Sequence, residues 1–184
     1  MRAFIAVELS STDAVEKLQQ DLVAETKWLS GHFMPVRSQN LHFTLIFLGN
    51  VGLETSDRVQ MILSDIKFKP LNLVLRGIGA FPHPGHARVI WVGVDENGKR
   101  AMVNLAQQIV SGLSRIKISP DRPFEPHLTI FRAKVMPLQL RPEVISKYYD
   151  KAIAHDTIDR VHFKRSELSS SGPTYTNIFT VHAT

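Results

Sequence analysis

With 184 residues, the chain is long enough for one domain, or for two closely associated lobes, around a sizeable core. Apolar residues make up 43% and charged residues 21%, which excludes a disordered protein, and no run of about 18 apolar residues predicts a membrane span. The lack of cysteine excludes disulfides, thiolate metal sites and cysteine nucleophiles, while the formal charge of +5 favours anionic partners in general. Without cysteine, a signal-peptide pattern or a membrane span, we expect a cytoplasmic protein.

Hydrophobic periodicity divides the first half of the chain into strands and helices. Leu18, Leu22 and Leu29 recur at helical spacing after the capping side chains of Ser10–Asp13, which predicts an amphipathic helix. The predicted elements are a strand at 2–9, a helix at about 12–29, a short strand at 33–37, a strand at about 41–48 and a helix at about 55–66.

The second half of the chain has a similar order of strand, helix and strand. Its predicted elements are strands at 71–81 and 87–95, a helix at about 98–114, a strand at about 125–134, a helix at 142–152, and strands near 156–168 and 174–182. Because no Pro-, Gly- or Ser-rich linker divides the halves, residues 1–184 are predicted to form a single bilobal domain. We expect an α+β fold of two interleaved, pseudo-symmetric lobes of antiparallel sheet, with helices on the outer faces and a central active-site cleft.

One tetrapeptide pattern, His-apolar-Thr-apolar, occurs at 42–45 and again at 127–130, about half a chain apart. Residues i and i+2 of a strand point to the same face, so each motif presents an imidazole and a hydroxyl side by side, with the residue between them facing the core. An ordinary core or surface histidine would explain one copy in a chain with 8 histidines. Two copies in matching strand contexts predict a site for a tetrahedral oxyanion, built from His42, Thr44, His127 and Thr129.

The segments QNLHFTLIFLGNV and FEPHLTIFR, which contain the two motifs, resemble the 2H phosphoesterases, specifically the RNA 2′,3′-cyclic phosphodiesterase branch, also called 2′-5′ RNA ligase-like proteins. The resemblance covers essentially the whole chain, because RAFIAVEL, GAFPHPGHARVIWVGV and SELSSSGPTY are similar to further segments of that branch. The chain departs from the family in the central hairpin loop, which here contains His83 and His86. Arg132 stands five residues after the second motif histidine, where the family has a phosphate-contacting arginine.

The resemblance implies metal-independent hydrolysis of 2′,3′-cyclic phosphate ends of RNA or nucleotides to 2′-phosphates. By the same resemblance, His42 is the proton donor to the leaving oxygen and His127 the proton acceptor that activates water, an assignment that the symmetry of the motifs cannot make. Two imidazoles that titrate near neutral pH suit in-line displacement at phosphorus. Thr44 and Thr129 would donate hydrogen bonds to the non-bridging oxygens, and Arg132 would add a charge-assisted contact to the substrate.

Two other functions use the same residues. The reverse reaction would join a 2′,3′-cyclic end to a 5′-hydroxyl through a 2′-5′ linkage, and a non-catalytic module would only bind RNA ends. Two titrating groups in the motifs argue against pure binding. The expected partner is RNA with a 2′,3′-cyclic phosphate terminus or a cyclic nucleotide, with no membrane contact and the protein a monomer.

No cofactor is predicted, and no metal, because threonine is a poor ligand and the chain lacks a carboxylate–histidine set at a recognised zinc spacing. His83 and His86 could in principle bind a metal ion, but the favoured interpretation is a polar turn with two exposed imidazoles. Phe81 and Trp91 are predicted core residues, and Tyr175 a half-buried strand residue that could alternatively stack on a base.

Overall fold

A computed structural model describes residues 1–120, 122–135, 137, 139–170 and 172–184, with only the backbone described at positions 27, 28 and 30. The strands are β1 (Arg2–Val7), β2 (Phe33–Pro35), β3 (Phe43–Asn50), β4 (Leu71–Phe81), β5 (Val89–Val94), β6 (Leu128–Ala133), β7 (Ala152–Ile158), β8 (Arg160–Ser169) and β9 (Gly172–His182). The α-helices are α1 (Asp13–Glu25), α2 (Lys27–His32), α3 (Leu53–Ser64), α4 (Glu96–Ser114) and α5 (Pro142–Tyr148).

The strands form two antiparallel sheets. The first sheet has the order β3-β1-β8-β9 and the second has the order β2-β6-β5-β4-β7. β2 belongs to the first half of the chain but pairs with β6 of the second half, and β8 belongs to the second half but pairs with β1 of the first. This arrangement confirms the predicted α+β class and the interleaving of two antiparallel sheets.

The core lies between the sheets and the helices. It is formed by the apolar residues that alternate along the strands and point towards the helices. On β3, Phe43 and Leu45 are buried in the core, so His42 and Thr44 point to the opposite face of the sheet. The helix α4 buries residues at the predicted helical spacing, and its N-terminus is capped by the Asp95 carboxylate, which accepts a hydrogen bond from the Gly98 backbone N–H. Helices α1 and α4 pack against the second sheet, and α3 packs against α4 and β9.

Three predicted elements are divided or shortened in the structure, because the local sequence pattern does not show where the backbone changes direction or pairing partner. The predicted helix at 12–29 is two helices, since α1 ends at Glu25 and the backbone of Thr26 is not helical. The Thr26 hydroxyl donates to the Leu22 carbonyl, a side-chain bond that competes with continuation of the helix.

The predicted helix at 142–152 ends at Tyr148, and the predicted strand near 156–168 is two strands that belong to different sheets. β7 pairs with β4 in the second sheet, and after Asp159 the strand β8 pairs with β1 in the first. Within the described part of the chain, no helix is long and apolar enough to cross a membrane.

Candidate active site

A cavity of about 250 Å³ lies between the two sheets and contains both motifs in its walls. Thr44 lies on β3, and His42 immediately precedes that strand. In the same way Thr129 lies on β6, and His127 immediately precedes that strand. Arg132 lines the same cavity. The structure therefore brings together all five residues that the sequence predicted, at the interface of the two sheets.

The His42 imidazole is held by backbone and aromatic groups. Its Nδ1 lies 2.8 Å from the Asn40 carbonyl oxygen, which can only accept, so Nδ1 carries the proton and Nε2 is unprotonated in the neutral ring. The rings of Phe4 and Tyr175 flank the imidazole, at centroid distances of 5.0 and 5.1 Å. The Asn40 side-chain amide donates to the Pro173 carbonyl at 3.1 Å, which ties this loop to β9.

The His127 imidazole has the same local geometry. Its Nδ1 lies 2.9 Å from the Glu125 carbonyl oxygen, which implies the same neutral tautomer. The Phe81 ring meets it at a centroid distance of 4.9 Å and at right angles, and Trp91 packs behind Phe81 at 5.3 Å. Gly79 makes room for Trp91, because a Cβ at position 79 would lie 2.2 Å from the indole ring.

The pKa of both histidines is lower than usual. Burial is the main cause at His42 and lowers its pKa to about 4; Lys164 and Arg132 lower it too, while the Asn40 carbonyl and Glu8 act in the opposite direction. Burial also lowers the pKa of His127, again with help from Arg132. Both imidazoles are therefore neutral at pH 7 in the free protein, with Nε2 able to accept a proton.

The cavity favours an anion. Arg37, Arg132 and Lys134 line it, and none of its described lining residues is acidic. Arg132 makes no ion pair with any described residue, and no hydrogen bond among those residues engages the hydroxyls of Thr44 or Thr129. A phosphate in this cavity could accept hydrogen bonds from two hydroxyl groups and from a guanidinium that no described residue pairs with.

Some residues near the site were assigned differently from sequence. Phe81 and Trp91 were predicted in the core, yet both are only partly buried, and the Phe81 ring packs against His127. Phe4 was missed, although the alternation of β1 already places it on the face opposite to Ile5, and therefore on the His42 side. Tyr175 is half-buried, as predicted, and it lines the cavity.

The turn that contains His83 and His86 is exposed, with the two rings 6.2 Å apart. Over the described residues, no group of three or more His, Cys, Asp or Glu side chains is arranged to hold a metal ion. Among these residues, therefore, the two histidines of the turn have no third ligand of these types with which to complete a metal site.

The comparison with known families identifies this chain. The model of the family described as LigT like Phosphoesterase matches it twice, at residues 7–91 and at residues 92–175, so that each match contains one His-x-Thr motif. The chain belongs to the LigT-like phosphoesterases of the 2H superfamily.

Relatives of similar length support this membership. An RNA 2′,3′-cyclic phosphodiesterase of Archaeoglobus fulgidus is 34% identical over 181 residues, which cover 97% of this chain and 98% of that protein. One of Methanothermobacter thermautotrophicus is 31% identical over 183 residues, with coverages of 97% and 96%. The crystal structure of a Thermus thermophilus protein, TT0787, has a TM-score of 0.74 and 26% identity, and the match covers 99% of this chain and 97% of that one.

Proposed function

We propose that this protein hydrolyses 2′,3′-cyclic phosphate ends of RNA or nucleotides to 2′-phosphates. The proposal rests on one observation: two His-Thr pairs and Arg132, which forms no ion pair with any described residue, line one cavity that has no acidic residue among its described lining residues. The names of the relatives support it, since both are RNA 2′,3′-cyclic phosphodiesterases.

In the proposed reaction, His127 accepts a proton from water as the water oxygen attacks phosphorus. The bond between phosphorus and the 3′-oxygen breaks, and His42 donates a proton to that oxygen, which leaves a 2′-phosphate and a 3′-hydroxyl. Thr44, Thr129 and Arg132 would bind the non-bridging oxygens, where negative charge increases in the transition state. We propose that these side chains suffice, without a metal ion or other cofactor.

The donor role of His42 requires a proton that the free protein does not hold at pH 7, because the pKa of His42 is about 4. The negative charge of the bound phosphate would raise that pKa and offset the effect of Arg132. Substrate binding would therefore be accompanied by proton uptake, and the acid would be formed only in the complex.

The size of the cavity favours recognition of a chain end. Its volume of about 250 Å³ lies just below the range of about 300–1,000 Å³ typical of ligand pockets, which suits a sugar-phosphate group with the base near the mouth. Met34 and Phe47 line the cavity and are largely exposed, so a base could rest against them. Escherichia coli LigT, which shares this fold at 23% identity and a TM-score of 0.71, has been crystallised with 3′-AMP.

We propose that a monomer of residues 1–184 acts as one bilobal unit in the cytoplasm.

The test is incubation of the purified protein with 2′,3′-cyclic AMP, with and without EDTA, followed by separation of 2′-AMP from 3′-AMP. We expect 2′-AMP at the same rate in both samples. Exclusive formation of 3′-AMP, or loss of activity with EDTA, would contradict the proposal. Binding without turnover would support an RNA-end-binding module, and 2′-5′ joining of RNA fragments without hydrolysis would support ligation.

A further inference from the structure

A charged network built around the buried side chains of Lys164 and His162 lies on the side of the first sheet that carries Phe4. The Lys164 side chain on β8 is only 4% exposed, and its Nζ donates to Glu8 Oε1 and, at 2.6 Å, to Asn177 Oδ1. His162, two residues earlier on the same face, places its Nε2 at 3.5 Å from Glu8 Oε2 and its Nδ1 at 3.0 Å from Thr180 Oγ1. A buried ammonium is costly unless it is paired in this way, so the position of Lys164 is closely defined.

The register of the sheet places this network next to His42. Lys164 pairs with Phe4 on β1 and with Asn177 on β9. Phe4 is one of the two rings that flank the His42 imidazole, and the other, Tyr175, stands two residues before Asn177 on β9. Phe4 and Tyr175 also contact each other, at a centroid distance of 5.1 Å.

We propose that Lys164 is a positioning residue for His42: by binding Glu8, which follows β1, and Asn177 of β9, its ammonium joins three neighbouring chain segments and holds Phe4 and Tyr175 against the imidazole. This inference rests on the proposed role of His42 in catalysis. Lys164 does not line the cavity, so it acts on the substrate only through His42.

The network also acts on His42 through charge. The charged groups that affect the pKa of His42 are Lys164 of β8 and Arg132 of β6, which lower it, and Glu8, which raises it. The other described contacts of the His42 ring are the Asn40 carbonyl and the rings of Phe4 and Tyr175. Removal of Lys164 alone should therefore raise the pKa of His42, and removal of the Glu8 charge alone should lower it.

A purely structural ion pair would behave differently. Replacement of a buried ion pair by apolar side chains is often neutral for stability or even favourable. The free energy of unfolding therefore cannot decide between the two roles, whereas the geometry and the pKa of His42 can.

The experiment compares Lys164→Met, Glu8→Gln and the double variant with the parent. Measurements are kcat and KM for 2′,3′-cyclic AMP across pH, and an NMR titration of the His42 ring. For Lys164→Met we expect kcat to fall by about 10- to 100-fold, the cost of a small misplacement of a catalytic group, with KM changed by less than about threefold. In the double variant the pKa of His42 should return towards that of the parent, while kcat stays low because the ammonium that links Glu8 to Asn177 is absent.

The matched control is Lys147→Met, which removes the same charge from an exposed ion pair with Glu25, and should leave kcat and the His42 titration unchanged. If Lys164→Met does not fold, two other variants decide the question by the same measurements: Glu8→Gln removes the negative charge that faces Lys164, and Asn177→Ala removes its second acceptor.

Folded variants that keep the parent kcat within about twofold and the parent titration of His42 would overturn the inference. If the parent itself does not turn over 2′,3′-cyclic AMP, the proposed function is wrong. The NMR chemical shifts of the His42 ring and the pKa of His42 would still show whether Lys164 positions the imidazole.

Discussion

The two motif regions place their histidines in the same local geometry and in different surroundings. Each imidazole donates from Nδ1 to the carbonyl two residues earlier, and each packs against an aromatic ring from another strand of the protein. Near His42, however, lies the ion pair of buried Lys164 and partly exposed Glu8, whereas His127 is supported by Phe81 and Trp91. His42 is also the more deeply buried of the two, and its pKa is lowered to about 4.

The difference follows from the place of each motif in its sheet. β3 is an edge strand, whereas β6 lies between β2 and β5, so the same tetrapeptide meets different neighbours. A repeated pattern can therefore supply two equivalent pairs of groups for binding a phosphate, while the unequal surroundings give those groups unequal acid–base properties.

The largest expected effect comes from removing either imidazole. His42→Ala and His127→Ala should each lower kcat by about 10²–10⁴-fold, because each removes a positioned acid or base. The assay is hydrolysis of 2′,3′-cyclic AMP, and His155→Ala, which removes an exposed strand histidine, is the control. Activity within about threefold of the parent in either motif variant would show that the two-histidine mechanism is wrong.

Substitution of the two threonines tests whether the two motif regions contribute equally to binding the negative charge of the phosphate. Thr44→Ala and Thr129→Ala should each lower kcat by up to about 10²–10³-fold, the value of one lost oxyanion donor. Thr→Ser keeps the hydroxyl, so its effect should be much milder. Equal loss from Ser and Ala would indicate that the methyl group, and hence strand packing, is what matters.

The pH dependence of stability tests the asymmetry directly. Because the folded protein lowers the pKa of His42 from 6.5 to about 4, the unfolded state binds more protons between these values, so the free energy of unfolding should decrease as the pH falls through this window. The contribution of His42 is on the order of 3 kcal/mol, from about 1.4 kcal/mol per pKa unit. Urea unfolding at several pH values should show a flatter profile for His42→Asn than for His127→Asn; the reverse order would contradict the asymmetry.

Arg132 affects both regions, since its charge lowers the pKa of both histidines. Arg132→Met should raise KM for the cyclic nucleotide by about 10- to 100-fold, corresponding to a hydrogen bond with a charged group of about 1.5–3 kcal/mol. Arg88→Met, which removes an exposed arginine outside the cavity lining, is the control. A KM unchanged in Arg132→Met would exclude a direct contact with the phosphate.

The smallest expected effect concerns the aromatic support of His127. Gly79→Ala forces Trp91 to move, because the new Cβ would lie 2.2 Å from its ring, and overpacking of this kind costs about 1–3 kcal/mol. Urea unfolding measures the loss, with Gly31→Ala as the control, since nothing lies within 4 Å of a Cβ there. If Gly79→Ala is as stable as the control, Trp91 is not held as the structure indicates.

The sequence by itself determined the strand that carries each motif, the side-by-side placement of histidine and threonine, and the helix α4. These depend on local alternation and helical spacing, which neighbouring residues define. Tertiary structure decided where the apparent helix breaks at Thr26, where one apparent strand passes from the second sheet to the first at Asp159, and which neighbours surround each histidine. The burial of Lys164 belongs to this second group, because it depends on Glu8, 156 positions away along the chain, and such long-range pairing leaves no signal in a local pattern.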